Sequence, residues 1–399
     1  MDKIQQIILF TNSFTLGLLV PLHNLILLEK GADIQTLPIL LIVYSITLLS
    51  FELPSGICAD LLGRKVVFLI SCFLQFISFL CILLATNFSY LVLAMIFNGL
   101  GRAFASGSLD ALFIDQTLKK QGDGHLSKIT TRIALLEGWG LAFGGIMGGF
   151  IAQISGDYIA SIIAKLLFLT ILFLLCLMIV KEDGSKEMKQ RIPLREHLKK
   201  GGAMVHSSSK FKLILGGVFL SGFMIMTVET YWQPAFRELY ITNNGTWLLG
   251  IITFFGFMAI TIGNTISNIL LIKFKNKWWK IYNICRFNLG ACIILFGISQ
   301  NEVKFVFWYV AVYMLFGTSN VVESTLINKI VPGNLRASIL SLNSLIFQLG
   351  AMCASVFSSF SITYLKFSGI WIIAGIFIIG YAITVMIAAM KQNSVKCDN

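Results

Sequence analysis

The sequence predicts an all-α integral membrane protein of about twelve transmembrane helices, arranged as two six-helix bundles. Three observations predict this fold: the chain is 56% hydrophobic and only 13% charged, apolar runs long enough to span a bilayer recur along its 399 residues, and one long polar stretch divides the runs into six and six. Because a soluble domain has roughly a quarter of its residues charged, lipid must cover much of this surface.

Each apolar run supplies the roughly 20 residues that a helix needs to cross about 30 Å of hydrocarbon. In the first bundle, expected over 1–180, the helices are predicted at 4–28, 35–56, 66–86, 90–114, 129–154 and 158–180. In the second bundle, expected over 213–399, they are predicted at 213–236, 247–272, 282–299, 303–327, 338–364 and 368–390. The polar stretch 181–212 is predicted to be a central cytoplasmic loop.

Lys and Arg accumulate in alternate connections, which predicts the orientation of the chain in the cell membrane. The central loop and the connections on its side are rich in basic residues, whereas the opposite side receives only Lys30, Arg237, Lys304 and Lys366. Both termini are therefore expected in the cytoplasm. The formal charge of +12 follows from this topology and does not indicate nucleic-acid binding.

The loop after the second predicted helix contains Gly56, Asp60, Gly63, Arg64 and Lys65. This spacing resembles the signature G-x-x-x-D-[RK]-x-G-[RK]-[RK] of the major facilitator superfamily, with a leucine at the first basic position. The resemblance implies two bundles with alternating access, and a cytoplasmic gate in which the aspartate caps the eleventh helix. It also implies that Arg64 pairs with an acid ending the fourth helix, here Asp115. Simple positive-inside anchoring by Arg64 and Lys65 is the alternative.

The fifth predicted helix carries a glycine stripe formed by Gly140, Gly144, Gly148 and Gly149. It is similar to the antiporter signature G-x-x-x-G-P-x-x-G-G, with Gly145 replacing the proline, as in bacterial drug:proton antiporters of the same superfamily. Small residues at this spacing permit close helix packing. The stripe therefore favours antiport, with generic packing as the alternative.

Charged residues inside the helices are costly and commonly functional. Arg102 and Glu137 lie at similar depths, and we expect an ion pair that serves either as a fixed structural bond or in coupling. Glu229 shares a helix face with Met226, Gln233 and Phe236, and a protonatable carboxylate on such a cavity-facing surface would exchange protons for an apolar or cationic substrate. His23 and Lys165 lie close enough to the outer helix ends to reach water, and Arg286 is expected to snorkel inward, which argues against roles for these three residues. Asp110 and Glu323 lie nearer the cytoplasmic side, where solvated gate positions are expected.

These features predict a secondary transporter that exports a small, largely apolar compound by proton antiport. Its expected partners are the substrate, protons and the bilayer, and we expect a monomer. Phosphate-binding glycine loops, HExxH and GxSxG are absent from the sequence, so no enzyme activity, cofactor or metal is predicted. The alternatives are proton-coupled uptake of a sugar or other metabolite, and a receptor or scaffold without transport.

Overall fold

The computed structural model of the chain describes residues 1–106, 108–121, 125–182, 209–239, 245–274, 277–330 and 336–397. Within these ranges the ordered elements are helices, and no strand is present. The all-helical fold predicted from the sequence is confirmed. Eight of the described helical stretches are long and apolar enough to cross a membrane, and the total of twelve spans stays a prediction.

The chain divides into two units, formed by residues 1–190 with 241–257 and by residues 191–240 with 258–399. The predicted boundaries at 180 and 213 flank this division, and most of the predicted central loop, 183–208, lies outside the described residues. The order of helices up to the loop is α1 (Lys3–Gly17), α2 (His23–Glu29), α3 (Leu37–Leu62), α4 (Arg64–Leu84), α5 (Phe88–Ala105), α6 (Leu109–Gln121), α7 (Leu126–Ser155) and α8 (Ile159–Ile179).

After the loop come α9 (Ser209–Leu239), α10 (Thr246–Lys273), α11 (Trp278–Gly297), α12 (Glu302–Ile330) and α13 (Arg336–Cys397). Helix α10 is shared between the units, because residues up to Phe257 belong to the first and the rest to the second. Helix α13 contains both of the last predicted spans. They meet at Lys366, whose φ of 52° interrupts the helix between the predicted ends at 364 and 368.

Two predicted spans are broken by short non-helical segments. The first predicted span becomes α1 and α2, separated by turns at residues 18–22, and the fourth becomes α5 and α6, separated near Ser106. In the first unit α1 packs against α7 and α8, while α4 packs against α5 and α8. In the second unit α9 and α11 pack against α13, and α12 packs against α11 and α9. These contacts place the charged side chains described next.

Candidate transport site

The carboxylate of Glu229 lies half-buried on α9 in the second unit. The Tyr313 hydroxyl of α12 donates a hydrogen bond to Oε1 of Glu229. The Tyr309 ring, one turn earlier on α12, lies 4.5 Å from the Tyr313 ring and 4.9 Å from the Trp232 ring, measured between centroids. The acid is therefore held beside a set of large aromatic side chains.

The aromatic set continues through the unit as a cluster of rings in mutual contact. Phe296 contacts three others, with centroid distances of 4.5 Å to Phe305, 6.2 Å to Tyr309 and 4.4 Å to Trp371. The indole N–H of Trp371 donates to the carbonyl oxygen of Thr227 on α9 at 3.0 Å. A carboxylate beside aromatic faces has the chemistry that binds organic cations, although these rings are buried against one another.

The predicted cavity-facing stripe of α9 is divided in the structure. Met226 and Glu229 remain partly exposed, whereas Gln233 and Phe236 are buried. Phe236 packs on the ring of Phe305 at 5.7 Å. Phe236 is thus turned towards its neighbours in the unit, and a cavity-facing role for Gln233 stays a prediction.

A second acid of this unit is fully enclosed in an ion pair that sequence reasoning missed. Arg286 of α11 is 0% exposed and pairs through Nη2 with Oε2 of Glu323 on α12, which is 5% exposed. The Tyr282 hydroxyl donates to the same oxygen at 3.0 Å. The Tyr381 hydroxyl lies 3.0 Å from that of Tyr282 and donates to a backbone carbonyl of α9 at 2.6 Å.

This pair corrects two expectations, that Arg286 snorkels inward to water at the cytoplasmic side and that Glu323 occupies a solvated gate position. Both side chains point into the bundle because each supplies the other's counter-charge. A signal was present in the sequence: Arg286 lies eight residues after the start of α11 and Glu323 seven residues before the end of α12. In adjacent antiparallel helices, those offsets give similar depths of about 10 to 12 Å at 1.5 Å per residue.

The gate loop in the first unit joins α3 to α4 through Gly63, whose φ of 95° suits a residue without Cβ. Arg64 Nη1 lies 2.7 Å from Asp115 Oδ2, and the two side chains are 28% and 49% exposed. Lys65 Nζ donates to the carbonyl oxygen of Leu177 at 2.9 Å. The structure therefore places Arg64 and Asp115 together, in a partly solvated pair worth about 0 to 1 kcal/mol.

Two other members of the predicted gate lie in α3. Gly56 lies within this helix, and Asp60 lies two residues before its last residue, but the side chain of Asp60 is outside what the structure describes. The predicted capping of the eleventh helix by Asp60 therefore stays a prediction.

Glu182, three residues after the last residue of α8, is a gate residue that the sequence analysis did not identify. Its Oε1 accepts the backbone N–H of Arg64 and its Oε2 accepts that of Lys65, both at 2.9 Å. These are the first two N–H groups of α4, which have no partner within the helix and favour a negative charge. Glu182 thus caps the N-terminus of α4 and connects the start of the predicted central loop to the gate loop.

The expected ion pair between Arg102 and Glu137 is absent from the described ion pairs. Arg102 lies in the last turn of α5, just before the break near Ser106, and its side chain is exposed. It interacts electrostatically with Asp110 of α6 as well as with Glu137, and the two carboxylates also interact. The break lets α6 bring Asp110 into the group, so Arg102 is shared between two acids and not fixed to one.

The glycine stripe of α7 packs directly on the backbone of α1. A Cβ placed on Gly140 would lie 2.8 Å from the carbonyl oxygen of Phe10, and one on Gly144 would lie 2.2 Å from that of Phe14. A Cβ on Gly148 would lie 1.7 Å from the carbonyl oxygen of Leu18, just after the end of α1. Gly149 instead faces Gly250, at 3.0 Å from its nitrogen, in the part of α10 that belongs to the same unit.

Comparisons with known proteins agree on one family. The sequence profile of the Major Facilitator Superfamily matches residues 6–321. The uncharacterized MFS-type transporter YxaM of Bacillus subtilis is 21% identical over 389 residues, which cover 96% of this chain and 94% of that protein. The multi-drug resistance efflux pump PmrA of Streptococcus pneumoniae is 24% identical over 318 residues, which cover 74% of this chain and 76% of the pump.

Solved structures show the same fold at low identity. The nucleoside transporter NupG superposes with a TM-score of 0.80 at 16% identity, covering 96% of this chain and 98% of NupG. A POT family transporter in complex with a thioalcohol-conjugated peptide gives a TM-score of 0.70 at 15% identity, covering 97% and 96%. At these identities the likeness concerns the fold.

Proposed function

We propose that this chain, which belongs to the Major Facilitator Superfamily, exports a small, largely apolar compound from the cell by proton antiport. As a member of that family it is a multi-pass membrane transporter and not an enzyme. The proposal includes twelve spans in the cell membrane, both termini in the cytoplasm and alternating access. The similarity to the multi-drug efflux pump PmrA supports export over uptake.

The main support for the proposal is the position of the Glu229 carboxylate beside its aromatic neighbours. The half-buried carboxylate accepts a hydrogen bond from Tyr313 and adjoins the rings of Tyr309 and Trp232. A negative charge flanked by aromatic faces attracts an organic cation, and protonation of the same carboxylate removes that attraction. Proton binding and cation binding at Glu229 would therefore compete, which is the requirement for antiport at a single site.

The group of Arg102, Asp110 and Glu137 gives the first unit a second set of protonatable groups. An arginine shared between two acids can favour either one when the other takes up a proton. We assign this group an auxiliary role in coupling, and the contacts of Arg64 with Asp115 and Glu182 a role in holding the cytoplasmic gate.

Expression in a bacterial host that lacks its own exporters tests the proposal. Toxic compounds, including aromatic cations, are screened for a growth advantage given by the chain, and each hit is added to energised inverted vesicles. An antiporter accumulates the compound in the vesicles while releasing protons from them. A metabolite that instead enters whole cells with protons supports uptake, and absence of any solute-linked flux supports a receptor or scaffold.

A further inference from the structure

Lys165 of α8 is a buried cation in the first unit that the transport proposal does not use. It lies six residues after the first residue of α8, about 9 Å along the helix at 1.5 Å per residue. The sequence led us to expect that it reaches water, but the residue is only 4% exposed. That expectation is wrong, because the side chain runs into the bundle towards α4 and α2.

The ammonium group of Lys165 lies near an aromatic ring and an imidazole ring. Its Nζ lies 4.0 Å from the centroid of the Phe79 ring on α4. The His23 ring of α2 meets the same phenylalanine edge-on, at 6.4 Å between centroids, and interacts electrostatically with Lys165. The Phe79 ring covers one side of the ammonium group, so the N–H groups that point away from the ring are not in contact with it.

No hydrogen bond or carboxylate partner is formed by Lys165 within the part of the chain that the structure describes. Lys30, the other lysine at this end of the unit, is satisfied by the carbonyl oxygen of Leu83 at 2.9 Å. An ammonium carries three donors, and buried charges are ordinarily paired. Among the described residues, Lys165 is therefore a buried cationic group with three donors and with neither an acceptor nor a counter-charge.

We propose that Lys165, Phe79 and His23 form a binding site for a small monovalent anion. The ammonium supplies the charge, and one imidazole nitrogen of His23 supplies a further donor. The phenyl ring fixes the position of the cation. A compact anion suits the site because Lys165 is only 4% exposed and a single lysine is a point charge, whereas phosphate and sulfate are favoured by the fork of an arginine.

Thermal unfolding of the purified, detergent-solubilised chain tests this site without any transport assay. Sodium gluconate is replaced stepwise by sodium chloride or sodium formate at constant sodium concentration. Wild type is expected to gain a few degrees in Tm in a saturable manner, because a ligand that binds the folded state stabilises it by mass action. Chloride and formate distinguish a free halide from a carboxylate group as the preferred occupant.

Three variants separate a specific site from general salt effects. Lys165→Met is expected to lose the saturable gain, Lys165→Arg to keep it, and His23→Phe to need several-fold more anion. Lys273→Met is the matched control, since Lys273 also lies over a phenylalanine ring, that of Phe274, but is exposed. The proposal is overturned if wild type gains no saturable stability from either anion, or if Lys165→Met keeps the gain.

Discussion

Replacement of Gly148 by alanine tests whether α7 packs as closely as the structure shows on the backbone of Leu18, the C-cap residue of α1. The added Cβ would lie 1.7 Å from the carbonyl oxygen of Leu18 and 2.7 Å from its carbonyl carbon. Because backbone cannot rotate away as a side chain can, α1 and α7 would have to separate. We therefore expect Gly148→Ala to destabilise the first unit.

The magnitude follows from two opposing effects. Ordinary contact begins near 3.4 Å, so the new Cβ is about 1.7 Å too close to the oxygen. Overpacking of this kind costs roughly 1 to 3 kcal/mol, whereas exchanging glycine for alanine inside a helix gains about 0.5 to 1 kcal/mol. The net expectation is a loss of up to about 2.5 kcal/mol, seen as a Tm lower by a few degrees in detergent.

Gly380→Ala is the matched control, because Gly380 also lies inside a helix but has no atom within 4 Å of the position of an added Cβ. Only the gain in helix propensity remains there, so its Tm is expected to equal or slightly exceed that of wild type. Equal Tm values for the two variants would refute the close packing of Gly148 on α1.

Three further predictions concern the buried pair, the gate and the topology. Glu323→Leu, which leaves Arg286 buried without its counter-charge, is expected to cost about 3 to 5 kcal/mol in thermal unfolding, and Arg286→Met added to it should restore most of that loss; additive losses would contradict the pairing. Asp60→Asn and Glu182→Gln are each expected to lower transport several-fold at normal membrane abundance while increasing cysteine labelling from the cytoplasmic side, and unchanged labelling in both would refute the gate. A reporter fused near Gly201 should give a cytoplasmic signal, and a signal from the opposite side would exclude the twelve-span topology.

The positions of the helices follow from the sequence because length and hydropathy alone decide where a chain can cross a bilayer. The ion pair of Arg64 with Asp115 was also predictable, since a known motif indicated both partners. The breaks within two of the predicted helices were harder to predict from the sequence. The segment at 18–22 is as apolar as the helices it interrupts, and the polar segment near Ser106 is only a few residues long, so averaging hydropathy over a whole span does not reveal either break.

The side chains that were misplaced share one physical cause. In a soluble helix the polar face reveals which side meets water, but a helix in lipid is apolar on most sides and does not reveal its rotation. The enclosure of Arg286 and Lys165, and the burial of Gln233 and Phe236, all depend on that rotation. Glu182 was missed for another reason: it acts on backbone N–H groups, which leave no trace in the residue pattern.

Proton-driven transport by purified protein in proteoliposomes tests whether Glu229 couples proton and substrate movement, with Glu229→Gln as the decisive variant. Glutamine keeps the size of the side chain and an acceptor for Tyr313, but it cannot bind and release a proton. Glu238→Gln is the matched control, because Glu238 is an exposed acid near the end of the same helix. Glu229→Gln is expected to lose accumulation driven by a pH gradient, whereas Glu238→Gln is expected to retain it. Accumulation by Glu229→Gln with the wild-type dependence on the gradient would contradict the assignment and make Glu137 the leading candidate.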